Sequence, residues 1–354
     1  MKKKVRWHTS IGKIEIEGQN YLHRKKRSVN KKTLDPLRES IGIINRSYSK
    51  RCQKLMTDFG IEESFETAVA RMKEHHGVEL NDSAVRNITE FHATRAKELV
   101  ASFSFAKQAS KQMVMELDGE MVPLIEYEEA IDRRKKKKNF WAELRIGVAQ
   151  NYGESSWKYA TSFKNPDHLG DRMQSVMKRM GLDENTNVHG VRDGASWIVE
   201  QGERVAGSNY SHLIDLFHLC EYLAEAVTAW SNDVNTEVKR LKKLFEEGLC
   251  SEVLHELKER QKQSLEHEGL KACIKYIGNR FGQFEYKRAK DKGLPVGSGK
   301  VESSHRSLIQ RRLKKPGAWW LRENAEKMAD LRTVRANGCW DLLWRDNFQK
   351  EGAA

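Results

Sequence analysis

The feature that most restricts the fold of this 354-residue chain is the order of strand-like and helix-like segments between residues 111 and 217. Alternating or continuous apolar runs of strand length predict five strands, at Met113–Leu117, Phe140–Ala149, Ser155–Phe163, Asn187–Arg192 and His212–Phe217. Apolar residues at helical spacing predict two helices between the last three strands, at Asp167–Met180 and 195–204. The order is therefore three strands, helix, strand, helix, strand.

This order is that of an RNase H-like sheet, in which the first three strands are antiparallel and the last two are parallel to the first. We therefore predict an α/β fold with a mixed five-stranded RNase H-like sheet. Almost everything after the fifth strand has helical character, over about 219–247, 250–266, 268–290 and 300–336. The stretch before Glu302 is predicted to be an all-helical insertion.

The segment before the sheet is mainly helical and contains a candidate helix-turn-helix. Phe65, Ala68, Val69 and Met72 form one apolar stripe, and Gly77 interrupts it. A second helix begins with capping residues and presents an apolar side, formed by Ala84, Val85, Ile88 and Phe91. Arg86 and Asn87 then point outward, where they would contact DNA. An ordinary helical hairpin has the same pattern and stays open as an alternative.

These changes of character divide the chain into five predicted segments. They are an N-terminal strand and basic loop (1–45), a helix-turn-helix domain (46–108), the first part of the RNase H-like core (109–218), the helical insertion (219–296) and the C-terminal core helices (297–354). The first segment contains an alternating strand at Lys13–Glu17 and the basic run His23–Arg27. Such a run either contacts a DNA backbone or is simply solvated.

The charge of the chain favours a polyanionic partner, and its apolar runs and cysteines exclude several classes of protein. The chain carries 63 basic and 50 acidic residues, for a net charge of +13, which indicates nucleic acid only weakly. No apolar run is long enough to span a membrane, and the N-terminus lacks the apolar core of a signal peptide. The five cysteines form no C-x-x-C pair, so neither a disulfide framework nor a thiolate zinc cluster is expected. We expect a cytoplasmic protein.

Three carboxylates occupy the positions where an RNase H-like sheet gathers its catalytic acids. Asp118 is predicted to end the first strand, Asp193 follows the fourth, and Glu302 opens a late helix. Three carboxylates and a substrate phosphate suffice to hold two Mg²⁺ ions, with Mn²⁺ as a substitute, for in-line phosphoryl transfer. Taken singly, Asp118 and Asp193 are also ordinary turn residues, because Asp-Gly is a favoured turn sequence.

The chain resembles bacterial insertion-sequence DDE transposases of the Kra type, which are relatives of the Mutator-like group. The blocks that carry the resemblance are ELDGEMVPL (116–124), FWAELRIGVAQ (140–150), VRDGASWI (191–198), LIDLFHLCEYLAEA (213–226), LPVGSGKVESSHRSLIQRRLKKPGAWW (294–320) and LRTVRANGCWDLLW (331–344). The resemblance implies that Asp118, Asp193 and Glu302 are the metal-binding triad. It also matches Asp215 and His218 to a D-x-x-H element that supports the metal ligands or positions the DNA end. For His218, a structural role as a buried helix cap is the alternative.

The resemblance further implies the activity and the partners. The enzyme would cut double-stranded DNA at the ends of its own element and join the ends to target DNA, as a homodimer or larger synaptic assembly associated with the nucleoid. The alternatives are an inactive transposase-derived DNA-binding protein and an RNase H-like nuclease. Five basic residues after Glu302 would follow the DNA backbone unless they form a solvated face, namely Arg306, Arg311, Arg312, Lys314 and Lys315. Trp230 either stacks on a flipped base or belongs to the core of the insertion.

Overall fold

The computed structural model describes residues 2–19, 21–22, 33–34, 48–102, 109–127 and 136–345. The basic run His23–Arg27 and part of the basic run at 133–138 lie outside these ranges. The chain divides into two compact units, each assembled from separate segments. One comprises 1–103, 123–140 and 308–354, and the other comprises 104–122 and 141–307.

The regular elements are numbered here in chain order. The strands are β1 (Lys2–Thr9), β2 (Gly12–Gln19), β3 (Tyr21–Leu22), β4 (Thr33–Leu34), β5 (Gln112–Tyr127), β6 (Lys137–Asn151), β7 (Lys158–Ser162), β8 (Asn187–Arg192) and β9 (Tyr210–Ile214). The helices are α1 (Lys50–Glu62), α2 (Phe65–His76), α3 (Asp82–Ser102), α4 (Pro166–Met180), α5 (Ser196–Ala206), α6 (Leu216–Val227), α7 (Val234–Glu246), α8 (Cys250–Gln263), α9 (Glu268–Gly278), α10 (Tyr286–Asp291), α11 (Gly299–Ser304), α12 (Arg311–Leu313) and α13 (Arg322–Ala336). A π-helical turn at His305–Gln310 joins α11 to α12.

The five-stranded sheet has the order β7-β6-β5-β8-β9. Strand β8 runs parallel to both β5 and β9, whereas β6 and β7 are antiparallel to each other. A mixed sheet with the first strand at its centre and helices between the last three strands is the RNase H-like arrangement. The α/β fold predicted from the element order is therefore confirmed.

The two faces of β5 have different surroundings, because successive side chains of a strand point to opposite faces. Met113, Met115 and Leu117 belong to the core that contains residues of α4 and α5. Val114 lies on the opposite face, in the core formed with the helical insertion. Glu116 and Asp118 follow Val114 at intervals of two, so the acidic residues of β5 are on the face of the insertion.

The predicted insertion forms helices α6 to α10, which share an apolar core with Val114 and Val191 of the sheet. Leu223, Phe245 and Tyr286 are buried there. Trp230 is partly buried against the same core, and the Arg260 guanidinium lies 5.4 Å from its ring centroid. Trp230 is therefore a packing residue of the insertion, and its alternative role in stacking on a flipped base is not supported.

In the first unit, the predicted helix, glycine turn and second helix are present as α2, Gly77 and α3. Gly77 ends α2 in the left-handed region with φ 62°, which glycine adopts without strain. The Asn81 side chain accepts a hydrogen bond from the Ala84 N–H at 2.7 Å, as a capping residue does. Phe91 was predicted on the buried side of α3 but is 41% exposed, because the buried face continues from Ile88 through Thr89, His92 and Ala93, and Phe91 lies beside it.

Two further expectations concern cysteines and membranes. All five cysteines are free thiols, as the sequence predicted. Over the ranges that the structure describes, no helix combines the length and the apolar character required to cross a bilayer.

Candidate active site

Strand β5 carries the first candidate carboxylate in its interior. Asp118 was predicted to end this strand, but the strand continues to Tyr127, so that prediction of the boundary is wrong. The following residue, Gly119, lies within the same strand rather than in a turn, and a side chain there would collide with the carboxylate of Glu143 from β6. Gly119 thus allows β6 to pass closely, and Asp118 projects from a continuous strand.

Arg192 is the centre of the site. It is the last residue of β8 and is only 7% exposed. Its Nη2 donates a hydrogen bond to Asp118 Oδ2, and its Nη1 lies 3.3 Å from Glu302 Oε1. Nη1 also donates to the Ser298 hydroxyl at 3.2 Å. The structure therefore brings Asp118 and Glu302 to one buried cation, although the two residues are distant in the sequence.

His305 contacts the same carboxylate oxygen of Asp118 as Arg192 does. Its Nε2 lies 2.7 Å from Asp118 Oδ2, and its Nδ1 lies 3.2 Å from Glu120 Oε2. Burial alone would raise the pKa of Asp118, but the hydrogen bond from His305 and the charge of Arg192 outweigh it and lower that pKa below its ordinary value. Asp118 is therefore held as a carboxylate, the form that a metal ion needs.

Two buried carboxylates fix the segment that carries Glu302. Asp215 is 2% exposed, and its Oδ2 accepts hydrogen bonds from both the N–H and the hydroxyl of Ser298. Glu116 is also 2% exposed, and its Oε2 accepts from the Val301 N–H at 2.7 Å. Because Val301 precedes Glu302, these contacts connect the start of α11 to β5 and to the end of β9.

The side chains of Asp193 and His218 have other partners than Arg192 and Ser298. Asp193 follows Arg192 directly, and its Oδ1 accepts a weak hydrogen bond from the Ala195 N–H at 3.4 Å. The His218 side chain is about one third exposed, and its Nδ1 lies 3.1 Å from Glu221 Oε2. Only the backbone N–H of His218 reaches Asp215, at 3.4 Å. The role predicted for His218 stays a prediction.

The donor set fits a divalent cation in its chemistry. No group of three His, Cys, Asp or Glu side chains in the described ranges is close enough to hold a metal ion. Asp118 and Glu302, however, both contact the positive charge of Arg192. Carboxylate oxygens are the hard ligands that Mg²⁺ prefers.

The basic residues predicted to follow DNA are not equivalent. Arg306 is exposed, and the side chain of Arg311 is 62% exposed. Lys314 is partly exposed, and the Nζ of Lys315 lies 3.5 Å from Glu63. The prediction is wrong for Arg312, which is 3% exposed and therefore inaccessible to a DNA backbone.

Arg312 is instead a packing residue of the first unit. Its Nε donates to the Gly60 carbonyl at 3.0 Å. Its Cζ lies 4.6 Å from the centroid of the Phe65 ring and 4.7 Å from that of Trp320. Such stacking of a guanidinium on aromatic rings is favourable when both are shielded from water. Among the tryptophans near the C-terminus, Trp320 and Trp344 are buried, whereas Trp319 is 39% exposed.

The sequence spacing also points to site residues that the motifs do not identify. Glu116, Asp118 and Glu120 alternate at intervals of two, which places all three on one face of a strand. His305 follows Glu302 by three residues, which puts both on one side of a helix. Arg192 gave no such signal, because a single cation beside a predicted acid is an ordinary occurrence.

Comparisons with known proteins give limited similarity. No protein-family model matches the sequence. The chain is 21% identical over 192 residues to the UPF0236 protein in the vanSb 3′ region of Streptococcus gallolyticus, a match that covers 54% of this chain and 42% of that protein. It thus spans less than half of this relative. Among solved structures, the Drosophila P element transposase strand transfer complex is 11% identical with a TM-score of 0.34, covering 90% of this chain and 84% of the other.

Proposed function

We propose that the protein is a DDE transposase, which cuts DNA at the ends of a mobile element and joins the freed 3′-hydroxyl to target DNA. The observation that carries the proposal is the convergence of Asp118 and Glu302 on one buried cation, Arg192, in an RNase H-like sheet. The six sequence blocks described above support it, since they include all three candidate acids.

Asp118, Asp193 and Glu302 would hold the divalent ions. When bound, Mg²⁺ activates the attacking oxygen and stabilises the leaving oxygen of a phosphoryl transfer. The protein's own contribution is to position these carboxylates. Asp215 and Glu116 anchor the start of α11, and the side chain of Glu302 remains 58% exposed, so that it faces incoming substrate.

The remaining residues of the proposal would contact DNA. Exposed Arg306 would contact the phosphate backbone close to Glu302. Arg86 is exposed and Asn87 is partly exposed on α3, where they would help to recognise the element ends. Because two ends must be held together for joining, the active species would be a homodimer or a larger assembly.

A strand-transfer assay with Mg²⁺ and labelled DNA carrying the element's end tests the proposal. Asp118→Asn, Asp193→Asn and Glu302→Gln should each abolish joining while the protein stays folded. Asp171→Asn and Glu266→Gln change exposed carboxylates remote from the site in sequence and serve as matched controls. Wild-type joining by the folded triad variants would refute the assignment.

Product analysis separates the alternatives. Hydrolysis without joining would indicate an RNase H-like nuclease. DNA binding that is unaffected by metal ions and shows no cleavage would indicate an inactive transposase-derived protein.

A further inference from the structure

Phe217 is the most exposed aromatic side chain in the described part of the chain, at 73%. It is the second residue of α6 and comes two residues after the buried Asp215. A phenylalanine ring this open to water forgoes most of the stabilisation that its burial would give. Its position, rather than its contribution to the core, therefore needs an explanation.

The contacts around Phe217 place its ring at the edge of the candidate active site. Its backbone N–H donates to Asp215 Oδ1 at 2.6 Å, which fixes the start of α6. Its Cε2 would lie 3.3 Å from a Cβ added at Gly297, so the ring covers this glycine. Gly297 precedes Ser298, whose hydroxyl accepts from Arg192. The ring thus packs on the residue next to Ser298, and Ser298 in turn contacts Arg192, the cation beside Asp118 and Glu302.

Two cations follow Gly297 closely in the sequence, while Glu221, one turn after Phe217 on α6, is the exposed acid of that helix turn. Lys300 lies three residues after Gly297 and is partly exposed, with its Nζ 5.8 Å from the ring centroid of Trp157. Arg306 is exposed on the following turn. Proteins bind unpaired nucleotides by combining cations, which contact the phosphates, with exposed aromatic rings, on which the bases stack.

We propose that Phe217 stacks against an unpaired base at the DNA end and so holds the adjoining phosphate at Asp118 and Glu302. This inference rests on the proposed function, which supplies DNA as the ligand. Stacking needs only the flat face of a base, so the contact selects unpaired ends rather than a sequence. Trp230, packed in the insertion core, does not compete for this role.

Binding without metal tests the inference independently of catalysis. The two probes are a fully paired duplex and the same duplex with a short single-stranded extension containing 2-aminopurine, both in EDTA. Wild type should bind the extended probe about tenfold more tightly than the duplex and change its 2-aminopurine fluorescence. Phe217→Ala should lose both effects and leave duplex affinity unchanged, whereas Phe217→Trp should retain them.

Phe281→Ala is the matched control, since it removes an exposed phenylalanine of the same unit, 62% exposed, and should behave as wild type. Equal preference for the extended probe in wild type and Phe217→Ala would overturn the inference. The inference would also be overturned if Phe217→Ala lost self-association, as measured by sedimentation, and kept its preference for the extended probe. The ring would then contact a second copy of the chain.

The same experiment distinguishes failure of the proposed function from failure of the stacking inference. If wild type binds neither probe, DNA is not the ligand, and both proposals fail. If the Phe217-dependent preference is present but strand transfer is absent, the stacking contact stands, and the catalytic proposal is wrong.

Discussion

The carboxylate of Asp215 accepts two hydrogen bonds from Ser298, one from the backbone N–H and one from the hydroxyl, each of 2.6 Å. Asp215 lies directly after β9, and Ser298 directly precedes α11. Both residues are buried. This pair therefore connects the sheet to the helix that carries Glu302, and it does so where water does not compete for the hydrogen bonds.

The Asp215→Asn variant should be destabilised by about 2 kcal/mol and should lose joining activity. An amide nitrogen in place of one oxygen cannot accept from Ser298 or Phe217, which leaves a buried donor without a partner. Urea denaturation measures the free energy of unfolding. Asp233→Asn is the matched control, because Asp233 caps α7 at an exposed position and Asn caps equally well. Equal stability of the two variants would contradict this role of Asp215.

Glu116 should make stability fall as pH rises. Burial raises its pKa from about 4.5 to about 7, against the opposing hydrogen bond from Val301 and charge of Arg192, while Asp215 raises it further. The folded state therefore binds a proton that the unfolded state has released. Its stabilising effect, on the order of 3 kcal/mol, is complete below about pH 4.5 and is lost as pH rises to about 7.

The Glu116→Gln variant checks this pH dependence. A neutral amide oxygen can still accept from the Val301 N–H, so the variant should show a flatter profile and should not be less stable than wild type at pH 8. Thermal or urea unfolding across the pH range gives the measurement. Glu200→Gln, at an exposed position, should reproduce the wild-type profile. An unchanged slope in Glu116→Gln would show that another group titrates.

The Arg192→Gln variant should bind Mn²⁺ at least about tenfold more tightly than wild type. A fixed positive charge in contact with Asp118 and Glu302 opposes a divalent ion at those carboxylates. Titration with Mn²⁺ alone, followed by electron paramagnetic resonance, measures the affinity. Arg280→Gln is the control, because Arg280 donates to the Gly194 carbonyl rather than to a candidate ligand. Unchanged or weaker binding in Arg192→Gln would show that Arg192 does not oppose the metal.

Arg306 and Arg312 should give opposite results although only six positions separate them. Arg306→Gln removes an exposed charge, so it should weaken DNA binding several-fold and lower the salt dependence by about one counterion, with stability unchanged. Arg312→Gln removes a buried contact to Gly60, so it should lower the free energy of unfolding by about 2 kcal/mol. Salt-dependent DNA binding and urea denaturation measure the two effects. A reversal of this pattern would contradict the burial of Arg312.

The sequence by itself determined the order of strands and helices along the chain, because the periodicity of apolar residues is a local property of each segment. It also located Asp193 directly after β8 and Glu302 at the start of a helix, since both follow from the ends of periodic segments. The capping by Asn81 and the left-handed Gly77 were predictable for the same reason.

Only the tertiary structure decided how these segments meet. Asp118-Gly119 has the local preference of a turn, but it lies inside the continuous strand β5, where Glu143 of the neighbouring strand passes close to Gly119. Helical spacing assigned Arg312 to a basic face, and it is buried because Gly60, Phe65 and Trp320 surround it. Arg192 likewise lies between Asp118 and Glu302 because the segments that carry these residues pack together. Contacts between residues far apart in the chain depend on how elements pack, and no periodicity within one segment records them.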